Sequence, residues 1–212
     1  MQATRIIAIR HGETAWNVDA RLQGHLDIAL NTKGLWQAEQ VARALAGEAI
    51  DAIYTSDLLR ARHTASAIAK TTGARLVASQ HLRERCFGNF EGKTYAELEV
   101  QWPEASLRWR KREPDWAPPG GESLLALRQR IASTVDAMAV QHVGGQIVLV
   151  AHGGVMDVLY RLATCQELQS PRTWQLGNAA LNRLLWTRDS ITLVGWGDTA
   201  HLAEATLDEG NT

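Results

Sequence analysis

The chain has 212 residues, of which 45% are hydrophobic and 21% charged, and its formal net charge is -1. That length suits one domain with a full core, and the composition excludes a disordered chain. Without a basic excess there is no general attraction to nucleic acid or to an anionic membrane, so any bound anion must be held by a local cluster of cations.

In chain order, Thr4 to Ile9 is a short β-branched run that predicts a buried strand, ending at Arg10-His11-Gly12. The apolar part of MQATRIIAIRHGE is too short for a signal peptide. No stretch approaches the roughly 20 apolar residues of a membrane span, and a cytoplasmic protein is expected. Thr32 reads as the N-cap of a helix that carries Leu35, Ala38, Val41, Ala42 and Leu45 on one face, with Gly47 at its end. Ala52 to Thr55 predicts a second strand. Ser56 or Asp57 then caps a helix through Leu58, Ala61, Ala65 and Ile68 that ends at Gly73.

Arg75 to Ala78 is a weaker third strand. A polar stretch from Gln80 to about Gly121 follows, containing a short helix that opens on a capping box of Thr94 and Glu97. Pro114, Pro118, Pro119, Gly120 and Gly121 mark its later part as loop. Ser123 to about His142 predicts a long amphipathic helix. Gln146 to Ala151 is the most strand-like run in the chain and ends at His152-Gly153-Gly154, before a helix over Val155 to Ala163. Ala180 to Trp186 and Ile191 to Gly197 read as two final strands. Cys86 and Cys165 are the only cysteines, too few and too far apart for a disulfide framework or a zinc site.

Strands alternating with helices predict an α/β fold, with a mostly parallel sheet covered on both faces as a three-layer α/β/α sandwich. Ligands in such sheets sit beyond the C-terminal ends of the strands. Three polar motifs each follow a predicted strand: Arg10-His11-Gly12, Asp57-Leu58-Leu59-Arg60 and His152-Gly153-Gly154. They are expected to meet at one sheet edge. Two arginines and two histidines converging there describe an anion site, because guanidinium forks match phosphate oxygens. A neutral imidazole among them can attack phosphorus. Gly12, Gly153 and Gly154 let the backbone approach closely, and helices that start after these turns aim N–H groups at the anion.

The chain resembles the histidine phosphatase superfamily, the group that includes the cofactor-dependent phosphoglycerate mutases. The resemblance rests on RHGETAWN from Arg10 to Asn17, RLQGHLDIALN from Arg21 to Asn31, and TSDLLRARHTA from Thr55 to Ala65. LRERCFGNFEG from Leu82 to Gly92, GGES from Gly120 to Ser123, and VAHGGV from Val150 to Val155 complete it. It spans nearly the whole chain and implies a phosphoglycerate mutase-like fold in a single domain over 1–212, with a cap-like insertion around 80–121.

The resemblance also implies roles. His11 would be the phosphorylated nucleophile. Arg10, Arg60 and a cationic His152 would hold the phosphoryl oxygens, with Asn17 in support and Gly153 beside them. Glu84 would be the proton donor, although taken alone it reads as a solvated carboxylate pairing with neighbouring arginines. Gln23 and Gly24 would line the substrate entrance. No acidic cluster has metal-ligand spacing, so neither metal nor cofactor is expected. The expected ligand is a small phosphorylated metabolite; the sequence gives no oligomeric state, and a homodimer is compatible with it.

Within the family the chain departs from the mutase pattern. Phe87 stands where mutases usually place a tyrosine, Tyr95 near where they carry a lysine, and Gly154 where they have asparagine. Phe87 to Gly92 and the GGES run instead resemble the phosphatase branch, so the expected activity is phosphomonoester hydrolysis. A phosphoglycerate mutase is the alternative, and a phospho-ligand-binding or scaffolding protein a second one. Trp102, Trp109 and Trp116 beside Arg108, Arg110, Lys111 and Arg112 make the loop from Gln101 to Gly121 either a substrate lid or a surface excursion with packed indoles. Gly120 to Ser123 reads as a turn and helix cap.

Overall fold

A run of apolar residues on both faces of a strand needs cover on both sides, and that is the position of β4 (Gln146–Ala151), apolar from Ile147 onward and buried at all six residues. The computed structural model describes residues 2–203 of the domain expected over 1–212. β4 pairs in parallel with β1 (Thr4–Arg10) on one side and β2 (Ala52–Ser56) on the other. β3 (Arg75–Ser79) extends the parallel set, whereas β5 (Leu181–Trp186) and β6 (Ile191–Asp198) close the other side antiparallel. The order is β3-β2-β4-β1-β5-β6 in one six-stranded sheet.

Alternation along β1 divides the core. Ile6 and Ala8 join Leu149 under α6 (Leu124–Ala139) and α7 (Gly153–Ala163), with Leu127, Ile131, Val135, Val155 and Leu159. Ile7 and Ile9 face the other way with Val148 and Val150, against Val41 and Leu45 near α2 (Thr32–Ala44) and Ala61, Ala65 and Ile68 of α3 (Leu59–Thr72). Each such aliphatic contributes about 1.5–3 kcal/mol on burial. The three-layer α/β/α expectation holds. Register levels the strand ends, since Arg10 pairs with Ala151 and Thr55 with Val150. The three motifs therefore emerge side by side.

Several local expectations change. Asn31, not Thr32, caps α2, its side chain accepting from the Gly34 N–H at 2.8 Å. Leu35 is 50% exposed instead of buried. The first turn of α2 abuts the loop after β1, where a Cβ on Gly12 would come within 2.4 Å of the Gly34 carbonyl, so glycine and not leucine makes that contact. α3 has no cap from Ser56 or Asp57; Asp27, distant in sequence, accepts from the Leu59 N–H at 2.6 Å. α7 starts at Gly153, two residues earlier than read, and α6 stops at Ala139 before a 3-10 turn over Val140–His142.

The stretch 80–121 is not mainly loop. Thr94 and Glu97 do form the capping box of α4 (Tyr95–Gln101), but a further helix, α5 (Pro103–Arg110), follows at once. Pro103 opens it, where the missing N–H is tolerated. A short helix α1 (Ala15–Val18), which no periodicity announces, precedes α2. Leu22, Phe87, Phe90 and Leu98 form a small separate core here, with Trp109 and Trp116 packed on it. Among the described residues no helix is long and apolar enough to cross a membrane.

Candidate active site

His11 is 3% exposed, and its backbone N–H continues the β1–β4 ladder by donating to the Ala151 carbonyl at 3.0 Å. Its Nδ1 lies 2.7 Å from the Gly12 carbonyl oxygen. A carbonyl can only accept, so Nδ1 carries the proton and Nε2 keeps a free lone pair. Gly12 is pinned in turn, donating to Thr64 Oγ1 on α3 at 3.0 Å. From the loop before β5, Asn178 donates to the His11 carbonyl at 2.8 Å.

His152 is completely buried, its ring centroid 5.3 Å from that of His11 at an interplanar angle of 60°. Neither of its ring nitrogens has a hydrogen-bond partner among the described residues. Burial pushes both imidazoles well below 6.5, reinforced at His11 by Arg10 and Arg60 and at His152 by Arg60 and His11. Burial thus favours the neutral ring at both positions, against the charge expected at His152, whereas the phosphoryl oxygens expected beside it would favour the cation. His11 is in the form that can attack, and the fixed positive charge comes from the arginines.

Arg60 has 0% exposure. Its Nη1 donates to the Leu26 carbonyl and its Nη2 to the Gly24 carbonyl, both at 2.8 Å, while Nε has no partner among the described residues. Burial lowers its guanidinium to about 10, still charged at neutral pH. Arg10 Nη1 donates to the Leu176 carbonyl at 2.5 Å and its Nε is likewise unpartnered. Gly24 thus serves less as an entrance than as the carbonyl that sets the Arg60 fork. Its φ of +51° favours glycine, and a Cβ at this position would come 2.1 Å from Glu91 Oε1.

Glu84 is 9% exposed and is no solvated surface group. Its carboxylate accepts from the Arg85 N–H at 2.7 Å and from the Gly154 N–H at 3.0–3.1 Å, at the start of α7. A Cβ on Gly153 would lie 3.6 Å from Arg10 Nε and 3.7 Å from Glu84 Oε2, so the Gly153 backbone separates guanidinium from carboxylate. At Gly154 the space is closed, with Glu84 Oε1 at 2.3 Å. Arg130 on α6, paired with Glu122 at 2.7 Å, donates to the carbonyls of His81, Arg83 and Glu84 and clamps this segment. Asn17 Oδ1 accepts from the Thr14 N–H and hydroxyl, and the residue lines the cleft. Gln23 is 7% exposed, and its Oε1 has no partner among the described residues.

Arg10, His11, Asn17, Gln23, Gly24, Arg60, Glu84 and Gly153 all line one cleft of about 480 Å³; His152 sits behind His11. The tryptophan-rich stretch divides between the two readings. Trp102 and Trp116 pack on Phe90, and Arg108 and Arg110 form exposed ion pairs with Glu113 and Glu99. Trp109 and Arg112 alone of that set reach the cleft wall. Sequence reasoning missed Asn178, Arg130 and the stretch around Arg172 to Leu176, whose irregular backbone carries no periodic signal. Ser123 does cap α6, accepting from the Ala126 N–H at 3.1 Å.

Known proteins resemble this chain in sequence and fold. The histidine phosphatase superfamily (branch 1) matches residues 6–199. The phosphoglycerate mutase-like protein 4 of Arabidopsis thaliana is 38% identical over 94% of this chain and 87% of its own length. The metal-independent phosphoserine phosphatase of the same plant is 35% identical over 95% and 84%. The structure of an Entamoeba histolytica phosphoserine phosphatase, in complex with 3-phosphoglyceric acid, superposes with a TM-score of 0.85 at 29% identity, covering 94% of this chain and 100% of that one. With a family model that matches residues 6–199 and relatives aligned over more than nine-tenths of its length, the chain belongs to the histidine phosphatase superfamily.

Proposed function

We propose that the protein is a phosphomonoesterase that hydrolyses a small phosphorylated metabolite through a phosphohistidine on His11. The observation that carries this reading is the hydrogen bond from His11 Nδ1 to the Gly12 carbonyl, which leaves Nε2 unprotonated between two guanidinium groups. In the first step Nε2 attacks phosphorus, the bond from phosphorus to the ester oxygen breaks, and Glu84 in its acid form gives its proton to the departing alkoxide. In the second, Glu84 accepts a proton from water as its oxygen bonds to phosphorus and the N–P bond breaks. Phosphoryl transfer needs mainly positioning and electrostatic stabilisation, and Arg10 and Arg60 supply positive charge that a metal ion supplies elsewhere. The segment 80–121 acts as a cap, with Trp109 and Arg112 its contribution to the wall.

Hydrolysis is favoured over mutase activity by two side chains. Phe87 is 9% exposed and packs edge-on against Trp109 at 5.2 Å, so no hydroxyl faces the substrate where the mutase pattern has tyrosine. Tyr95 is 49% exposed at the rim where that pattern has a lysine to hold a second anionic group. The test is release of inorganic phosphate from a panel of metabolite phosphates, run beside a mutase assay with bisphosphoglycerate. Hydrolysis is expected to exceed mutase turnover by at least about tenfold, roughly the effect of one lost polar contact. Rapid-quench labelling should find acid-labile phosphate on His11 and none in His11→Ala. Efficient interconversion of 3- and 2-phosphoglycerate, or label on another residue, would refute the reading.

A further inference from the structure

The cleft continues past the phosphoryl site to a wall that the proposed chemistry does not use. Asp157 of α7 lines it and is only 5% exposed. Its Oδ2 takes two guanidinium donors, Arg112 Nη2 at 2.6 Å and Arg161 Nε at 3.0 Å, whereas its Oδ1 is buried and accepts nothing among the described residues. Trp174 lines the same wall at 8% exposure, and its indole Nε1–H is likewise buried without an acceptor. The two are joined through Arg161, whose guanidinium lies 4.8 Å from the Trp174 ring centroid. Tyr160 stacks on the same indole at 4.0 Å and 17°. The indole is thus fixed by packing, with its polar edge unmatched.

A buried acceptor and a buried donor left unmatched on one cleft wall are matched by a group that both donates and accepts. A hydroxyl does both. An ammonium group could donate to Asp157 Oδ1, but the two guanidinium groups already on that carboxylate more than balance its charge, and Arg172 adds another cation to the same wall. Like charge therefore selects against an ammonium and leaves the neutral hydroxyl. Trp109, held under the Arg85 guanidinium at 4.5 Å, adds an aromatic face of the kind that carbon-bound hydrogens pack against.

We propose that Asp157 Oδ1 and Trp174 Nε1–H form a hydroxyl-recognition subsite for the leaving group, so that the preferred substrates are phosphomonoesters of polyols or sugars. This rests on the phosphomonoesterase reading for turnover, though the subsite can be tested by binding alone. The probes are matched pairs: glycerol 3-phosphate with propyl phosphate, and erythritol 4-phosphate with butyl phosphate, with 3-aminopropyl phosphate as the cationic arm. kcat/KM for the wild-type protein should favour the hydroxylated member of at least one pair by about tenfold or more, the discrimination expected of a site built to hydrogen-bond a hydroxyl. 3-Aminopropyl phosphate should be no better than propyl phosphate. Trp174→Phe keeps the ring on Tyr160 and Arg161, removes only the N–H, and should cut the preference at least about threefold. Asp157→Asn should bring it towards one. Calorimetric binding of the same pairs to His11→Ala should show the same order without turnover. A wild-type protein that hydrolyses 4-nitrophenyl phosphate but shows no hydroxyl preference refutes the subsite and spares the phosphatase reading. No hydrolysis of any ester, with the binding preference intact, does the reverse. An unaltered preference in Trp174→Phe, or a best substrate that carries the ammonium, overturns the assignment.

Discussion

Replacing Gly154 by alanine tests whether Glu84 must stand where it does. The new Cβ would come 2.3 Å from Glu84 Oε1, 3.3 Å from its Cδ and 3.5 Å from Leu127 Cδ2. A carbon and an oxygen settle at roughly 3.3 Å or beyond, so the carboxylate must retreat by about 1 Å. A shift of that size in a catalytic group costs on the order of a hundredfold in rate. Stability should fall modestly. Alanine favours an α7 helical position by about 0.5–1 kcal/mol over glycine, which offsets only part of a hydrogen bond to a charged group, about 1.5–3 kcal/mol at full strength. The expected outcome is a melting temperature lower by a few degrees, about 2–4 °C per kcal/mol lost, and a roughly hundredfold lower kcat/KM for alkyl phosphates, whose leaving groups need a proton. The pre-steady-state burst of nitrophenol from 4-nitrophenyl phosphate should fall much less, because that leaving group departs without help. Glu84→Gln should show the same selectivity, about a hundredfold or more on alkyl esters. Gly153→Ala is the contrast, since its Cβ meets nothing nearer than 3.6 Å. Undiminished alkyl phosphate turnover in Gly154→Ala, or equal losses for both leaving groups, would refute the acid role argued for Glu84.

Two further outcomes follow from the charges. His11 and His152 are held neutral with pKa values well below 6.5, so the unfolded chain binds protons the native one refuses. Their neutral burial is without penalty above pH 6.5, and stability falls as pH drops from there towards the depressed native values, by up to about 1.4 kcal/mol per histidine per pH unit. Urea unfolding at pH 7.5 and 5.5 should show a larger loss for the wild type than for His11→Gln/His152→Gln; equal losses would mean that the histidines titrate normally in the fold. With the positive charge supplied by Arg10 and Arg60, a chelator should leave hydrolysis intact and vanadate, a mimic of five-coordinate phosphorus, should inhibit it. Activity lost to chelator and restored by magnesium would contradict the mechanism.

What was legible in the sequence was whatever is encoded by period or by local chemistry. Ile147 to Ala151 names its strand because burial on both faces requires an unbroken apolar run. The site motifs read clearly because each follows such a run. Contacts between distant segments were not legible. Leu35 looks like a core residue by spacing, yet the close approach of Gly12 to Gly34 turns that face of α2 towards the loop and leaves Leu35 outside. The cap of α3 is Asp27, 32 positions away from Leu59, and no local pattern announces it. The complete burial of His152, which disfavours its charged form, was not legible either. α5 stayed hidden because its exposed face is charged and its buried contacts are few, Ser106 being the one buried residue in it.

The small core formed by Leu22, Phe87, Phe90 and Leu98 stands apart from the two large ones that sandwich the sheet. Glu84 borders it but does not depend on it, being held by Gly154 of α7 and by Arg130 of α6. Substitutions among Trp109, Trp116 and Arg108 to Arg112 can therefore reshape what the cleft admits while leaving Glu84 and the proposed nucleophile in register. Such a layout lets selection explore new substrates in steps that each preserve a working catalyst, because drift in the selective wall and constraint on the reacting groups fall on different residues.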